Sequence, residues 1–398
     1  MNTLPQQLLF DLPLRHARLQ QAMANANADA LLVTLNNNLI YTTGTVIRGW
    51  FYLPLNGTPL IFYRRPLDLP QRLPGFTTIQ ISRPDQITAA LQDHNHPLPS
   101  RLLLEGDELP ASEWFQFARI FTTTELLNGS TPIRLARAVK TPYELTLLRE
   151  SCRRHAAVVA TFPSLYRPGM SDLDLSIAME NASRQAGSLG LMRAFGGRME
   201  IFMGSVLCGD NADTPAPYDF ALGGAGLNPT IPIGPNNTPL RSGTTIMADV
   251  SGNFTGYISD CSRTYAIGSI PDHVREAHQL SIAICHAVAQ AGTPGTNCES
   301  LYNLAIDLAT QAGLAQHFMG YSQQVKFIGH GLGIEINELP VIAARFTMTL
   351  EENMTIALEP KFVFPGIGAV GIENTYVVTP DGMEKLTICD ESLITLTP

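Results

Sequence analysis

Residues 249–264 read DVSGNFTGYISDCSRT. They form the inner part of two strand-like runs, TTIMADVSG (244–252) and YISDCSRTYAIG (257–268), joined by a glycine-bounded turn. Alternation on either side of such a turn predicts an antiparallel hairpin. Paired positions in a hairpin sum to a constant, and Asp249 and Asp260 are symmetric about 254.5, inside the Gly252–Gly256 turn. A regular register sets the two aspartates directly opposite on one face, with Cβ atoms about 5 Å apart.

The arrangement recurs later. MTIALEPKFVF (354–364) and AVGIENTYVVT (369–379) flank Pro365-Gly366-Ile367-Gly368, and Glu359 and Glu373 are symmetric about Gly366. Two hairpins are thus expected to present a facing carboxylate pair each. At about 5 Å and an effective dielectric near 20, two like charges repel by roughly 3 kcal/mol. Protonation, a partner cation or a bound metal must resolve this. Arg263 can pair with one carboxylate, but four acids need more positive charge, and divalent metal is the economical source. GHGLGIEINELP (329–340) adds an imidazole, His330, between two glycines. Four carboxylates and one imidazole suit two ions such as Mn²⁺, Co²⁺ or Fe²⁺, with Zn²⁺ a further option. Two such ions, about 3.5–4 Å apart, hold a hydroxide between them and polarise a carbonyl. Each residue alone has a plainer reading: a strand-edge aspartate, a structural histidine, a glutamate ending a strand before Pro360. The combination points to metal.

Bulk properties bound the reading. A chain of 398 residues fits two domains. The net charge of −9, with no basic cluster, excludes a nucleic-acid surface. The six cysteines form no CxxC pair, which excludes a zinc ribbon and predicts free thiols in a reducing cytoplasm. The first residues lack a signal-peptide pattern, and no apolar run is long enough for a membrane span.

Residues 15–28 read as a helix; DALLVTL (29–35), GWFYLPL (49–55), TPLIFY (58–63) and RLLLE (101–105) read as strands, together a small α/β domain. A boundary falls near 132–142, ahead of a helix at 143–162. PGMSDLDLSIAMENASRQAG (168–187) and PGTNCESLYNLAIDLATQAG (294–313) are a faint repeat. Each has an N-cap candidate (Ser171, Asn297), a helix and a glycine stop, and each follows another helix (143–162; 272–291). Two related halves are expected. The tract 203–243, dense in Gly, Pro, Asn and Asp, reads as a long ordered loop, with Asp210, Asp213, Tyr218 and Asp219 as residues able to reach a pocket.

These motifs resemble the pita-bread metallopeptidase superfamily, in its creatinase/prolidase/Xaa-Pro aminopeptidase branch. DALLVTLNNNLIYTTG (29–44) is similar to the amino-terminal domain of that branch and LARAVKTPYELTLLRESC (135–152) to the start of its catalytic domain. DVSGNFTGYISDCSRT, GHGLG, LEP and GIENTYVVT match its metal motifs in order. The resemblance implies an α/β (α+β) chain with a creatinase-like domain over 1–137 and a pita-bread catalytic domain over 138–398, built of two pseudo-symmetric halves. It implies Asp249, Asp260, His330, Glu359 and Glu373 as ligands of two divalent ions, with Mn²⁺ the first choice, and Glu359 as proton acceptor and donor. It also implies a homodimer in which the amino-terminal domain narrows the partner's pocket.

Two departures stand out. The family's histidine after a Gly-x-Asn motif falls here on Ile233, following Gly226-Leu227-Asn228, and its second histidine falls on Asn337. Isoleucine cannot bind an amide or move a proton; asparagine can hydrogen-bond but does not titrate. The expected function is a cytoplasmic dinuclear hydrolase of short peptides, Xaa-Pro aminopeptidase- or dipeptidase-like, with altered specificity. The alternatives are a metal-dependent hydrolase or lyase acting on a small non-peptide molecule, or a catalytically impaired binding homologue.

Overall fold

The computed structural model describes residues 4–398, which divide into two compact units. One runs to Arg137 and takes in Thr141–Tyr143 and Phe195–Arg198; the other holds Ala138–Lys140, Glu144–Ala194 and Met199–Pro398.

The first unit is built on six strands: β1 (Ala30–Val33), β2 (Arg48–Pro54), β3 (Leu60–Arg65), β4 (Thr77–Gln80), β5 (Arg101–Leu104) and β6 (Glu125–Asn128). They form one mixed sheet in the order β4-β3-β2-β1-β5-β6, with β1–β2 and β2–β3 antiparallel and the other pairs parallel. All four residues of β1 are buried, as a run of apolar residues in mid-sheet requires. The first helix spans Gln6–Asn25 and starts well before the expected Arg15. Pro13 reads as a breaker in sequence. It is tolerated because Leu8, Leu12, Leu19 and Met23 lie on one face and are buried together.

The second unit holds β7 (Gly204–Cys208), β8 (Thr245–Asn253), β9 (Ile258–Ile267), β10 (Phe327–Gly331), β11 (Glu338–Ala343), β12 (Thr355–Leu358), β13 (Lys361–Phe364), β14 (Gly368–Gly371), β15 (Asn374–Thr379), β16 (Gly382–Lys385) and β17 (Ile394–Leu396). They form three sheets: β17-β9-β8-β7, β11-β10-β12-β15-β16, and the ribbon β13-β14. The tract from 203 is therefore not all loop. Its apolar start pairs with β8 as β7, and a short 3₁₀ turn, Gly209–Asp213, follows.

The expected repeat is visible as structure. Helices Asp172–Gln185 and Cys298–Gln311 are each 14 residues long. Ser171 caps the first by accepting from the Asp174 N–H, and Asn297 caps the second by accepting from the Glu299 and Ser300 N–H groups. Such caps contribute about 1 kcal/mol each. Each cap residue also makes an isolated bridge to the chain entering a central hairpin, Ser171 to Pro239 and Asn297 to Thr349. Each half has its own apolar cluster. Phe162, Leu175, Val206 and Ile246 belong to the first; Ile284, Leu301, Ile356 and Phe362 belong to the second.

Candidate metal centre

Each half contributes a hairpin. In the first, Asp249 pairs with Ser262 and Ser251 with Asp260, so the aspartates are diagonal neighbours and not directly opposite. The turn is placed later than the glycines suggest. Asn253 still pairs with Ile258, and its Oδ1 accepts from the Gly256 N–H at 3.0 Å, so the tip is Phe254–Tyr257. The slip is an even number of residues, so both aspartates keep the expected face.

The second hairpin has the expected register. Leu358 pairs with Asn374 and Lys361 with Gly371, a constant sum that places Glu359 opposite Glu373. The ladder breaks between those pairs. The Glu359 N–H donates to the Ile328 carbonyl at 2.9 Å, and the Glu373 N–H to the Ser262 carbonyl at 3.1 Å.

The five expected ligands come together. Asp260, His330 and Glu373 offer donor atoms within 4.8 Å of one another, and so do Asp249, Glu359 and Glu373. His330 Nε2 is 3.9 Å from Asp260 Oδ2 and 3.5 Å from Glu359 Oε1. Hydroxyls hold the acids. Ser262 Oγ donates to Glu373 Oε2 at 2.7 Å, and Ser251 Oγ to Asp260 Oδ1 at 3.0 Å. Thr375 Oγ1 accepts from the Asp260 N–H at 2.9 Å and donates to the Asp260 carbonyl at 3.0 Å.

Sequence reasoning missed Lys361. Its side chain is fully buried, and Nζ lies 2.6 Å from Asp249 Oδ2, 2.8 Å from Glu359 Oε2 and 3.8 Å from Glu373 Oε2. The signal was present: in extended chain, residues two apart share a face, so Lys361 follows Glu359 into the site. Arg263, named as a partner, faces elsewhere. It donates to the carbonyls of Ser262, Glu373 and Asp390 and to Asn374 Oδ1. An odd-numbered neighbour of Ser262 points to the opposite side of β9 from the acids.

Burial, reinforced by Asp249 and Glu359, holds the Asp260 carboxyl well above the usual carboxylate range. Burial and the charges of Asp260, Asp249 and Glu359 do the same to Glu373. Asp249 differs. Burial pushes it up, but the Lys361 ammonium together with hydrogen bonds to Glu373 and Ser262 holds it below its ordinary value. Burial alone lowers a lysine; the three surrounding carboxylates instead keep Lys361 well above its ordinary range. Two acids raised by burial and by their neighbours, with a histidine beside them, are a donor set that a divalent ion relieves, so the residues fit such an ion.

The acids open into a cavity with a largely apolar wall that includes Phe202, Phe220, Leu222, Ile233 and Ile336. Ile233 and Asn337 both line it. Of the four residues singled out in the 203–243 tract, only Asp219 does. Asp210 accepts from the Gly366 N–H, Asp213 from the Tyr321 and Ser322 N–H groups, and the Tyr218 hydroxyl donates to Glu200. Those three brace loops: the two aspartates satisfy backbone N–H groups and the tyrosine hydroxyl ties to a carboxylate.

Comparison with known proteins places the chain. The sequence profile described as metallopeptidase family M24 matches residues 146–380, and that of the creatinase/prolidase N-terminal domain matches 15–139. The chain is 34% identical over 170 residues to the Xaa-Pro dipeptidase of Lactobacillus helveticus, a stretch covering 42% of this chain and 45% of that relative, under half its length. It is 24% identical over 388 residues to the uncharacterized peptidase YqhT of Bacillus subtilis, covering 95% of this chain and 99% of YqhT. The structure of an Xaa-Pro dipeptidase from Bacillus anthracis superposes with a TM-score of 0.80 at 23% identity, over 97% of this chain and 100% of that one. With its site on the two hairpins of a pita-bread fold and a profile match across most of the second unit, the chain belongs to metallopeptidase family M24 and carries a creatinase/prolidase-type amino-terminal domain.

Proposed function

We propose that the protein is a metal-dependent hydrolase of short peptides or peptide-like amides, related in activity to Xaa-Pro dipeptidases, with residues 138–398 as its catalytic domain and 1–137 as its amino-terminal domain. The observation that carries this reading is the convergence of Asp249, Asp260, His330, Glu359 and Glu373 at the floor of one cavity. A bound divalent ion supplies Lewis acidity and a nucleophilic water at neutral pH. The Asp260–His330–Glu373 group is the proposed seat of that ion, and Mn²⁺ suits its oxygen-rich donors.

The chain's own groups do the rest. Glu359 takes the proton of the attacking water and returns it to the leaving amine. Asn337 hydrogen-bonds the substrate amide without titrating. Ile233 and the aromatic wall exclude water and select apolar side chains. Replacing two imidazoles by Ile233 and Asn337 alters specificity and slows proton movement. The six cysteines, all unpaired, support a reducing compartment such as the cytoplasm. A homodimer belongs to the same reading and is measured by light scattering.

The test is to load purified protein with Mn²⁺ and offer a panel of Xaa-Pro dipeptides and tripeptides. Release of free proline or of the amino-terminal residue is expected. Metal bound with no peptide cleaved would move the assignment to a small non-peptide amide.

A further inference from the structure

We propose that Lys361 is a built-in cation filling the second of the two metal positions, so that the protein holds one divalent ion, on Asp260, His330 and Glu373. This rests on the metal-hydrolase reading above.

The two three-donor groups share Glu373 but are not equivalent. The three carboxylates of one, Asp249, Glu359 and Glu373, are the three that surround Lys361 Nζ, at 2.6, 2.8 and 3.8 Å. A divalent ion using those oxygens would lie about 2.0–2.2 Å from each, in nearly the same place as the ammonium. Two cations cannot share that volume, and Asp249 Oδ2 and Glu359 Oε2 already accept from the ammonium. In the other group only the shared Glu373 neighbours Lys361; Asp260 and His330 do not pair with it.

Lys361 has nowhere to withdraw. Its backbone is fixed on both sides, since its carbonyl accepts from the Met319 N–H at 2.8 Å and it pairs with Gly371 in the β13–β14 ribbon. The contact is close: a Cβ at Gly371 would lie 3.0 Å from the Lys361 Cα. Moved off the carboxylates, the ammonium would be a buried charge without a partner, which a protein interior does not tolerate. The pleat that sends Glu359 into the site sends Lys361 there too, and its fully buried side chain has no solvent to turn to. A monovalent cation covalently tied to the chain neutralises one charge and opens no coordination position. It also pins the Glu359 carboxylate beside the remaining ion.

The test counts ions. Protein stripped with chelator and equilibrated with Mn²⁺ is measured by elemental analysis and by calorimetric titration. One ion per chain is expected for the wild type and two for Lys361→Met, the second giving the spin-coupled resonance of a manganese pair. His330→Ala is expected to empty the wild type and to leave one ion in the Lys361→Met background. Two ions in the wild type would overturn the proposal while leaving the hydrolase reading in place. No ion in the wild type would overturn the hydrolase reading itself. One ion in folded Lys361→Met would show that the lysine does not decide the count, and an ion retained by His330→Ala alone would show that the ion does not sit on the Asp260–His330–Glu373 group. Should Lys361→Met fail to fold, Lys361→Gln is counted instead, and the wild-type count already decides between one ion and two.

Discussion

Glu359 and Glu373 face each other at the point where their hairpin stops being one: the ladder resumes on either side in the same register, yet neither residue's amide bonds to the other strand. Each amide goes instead to a strand bearing another proposed ligand, Glu359 to β10 with His330 and Glu373 to β9, two residues from Asp260. Pro360, which has no N–H to give, sits in the break. The gap is what lets one hairpin belong to two sheets and hold four acids around one space.

Ser262 is the donor that orients Glu373, through Oγ at 2.7 Å from Oε2. Outer-shell partners of metal ligands contribute about 10–100-fold in affinity. Ser262→Ala is expected to weaken Mn²⁺ binding by that factor, with unchanged circular dichroism. Unchanged affinity would mean that the backbone and Lys361 hold the carboxylate unaided.

Asn337 lines the cavity that holds the acids, and its amide does not titrate. A positioned general acid or base contributes on the order of 10²–10⁴ in rate. Asn337→His is expected to raise kcat on Xaa-Pro dipeptides by about 10² and to add an ionisation to the pH–rate profile. A rate rise with no new ionisation would count against proton transfer as the cause.

Two buried histidines make stability depend on pH. Burial, with a contribution from Arg263, pushes His155 down to about 3. Burial pushes His16 down to about 4, opposed by its hydrogen bond with the Thr42 carbonyl and aided by Arg15. In the unfolded chain both titrate near 6.5. A depressed folded pKa means that the unfolded state takes up the proton first. Stability is therefore full above about pH 6.5 and is lost as pH falls toward the folded values. Each histidine is expected to remove roughly 2 kcal/mol between pH 7 and pH 5. Urea unfolding at several pH values reads the slope, and His155→Gln should flatten it by one proton. An unchanged slope in His155→Gln would refute the assignment.

Gly252 is set by contact and not by its dihedral angles. A Cβ there would lie 2.5 Å from His155 Cγ, on the helix Pro142–Val159. Gly252→Ala is expected to cost roughly 1–3 kcal/mol by overpacking. Because the same strand carries Asp249, Mn²⁺ affinity should fall as well. Wild-type stability in Gly252→Ala would show that the helix yields freely.

The sequence carried much of the site because its ligands lie on strands, where a period of two and a turn centre place residues on a face. Asp249, Asp260, Glu359 and Glu373 were legible in this way, and the even slip at the Phe254–Tyr257 tip left their face unchanged. The same period would have found Lys361. A lysine opening the apolar run KFVF reads locally as a strand-edge residue, and only its burial shows otherwise. The start of the first helix was hidden by Pro13, and β7 by its loop-like surroundings.

By itself, then, the sequence determined the hairpins, the two related halves, the capped helices and the kind of atoms in the site, since these follow from local spacing and side-chain chemistry. Only the tertiary structure decided that Asp249 and Asp260 are diagonal, that Arg263 faces away, and that Lys361 and not Arg263 holds the acids. Those outcomes depend on where a turn closes and which amides cross between sheets, and such choices are made by packing between segments more than a hundred residues apart, as between Lys361 and Asp249.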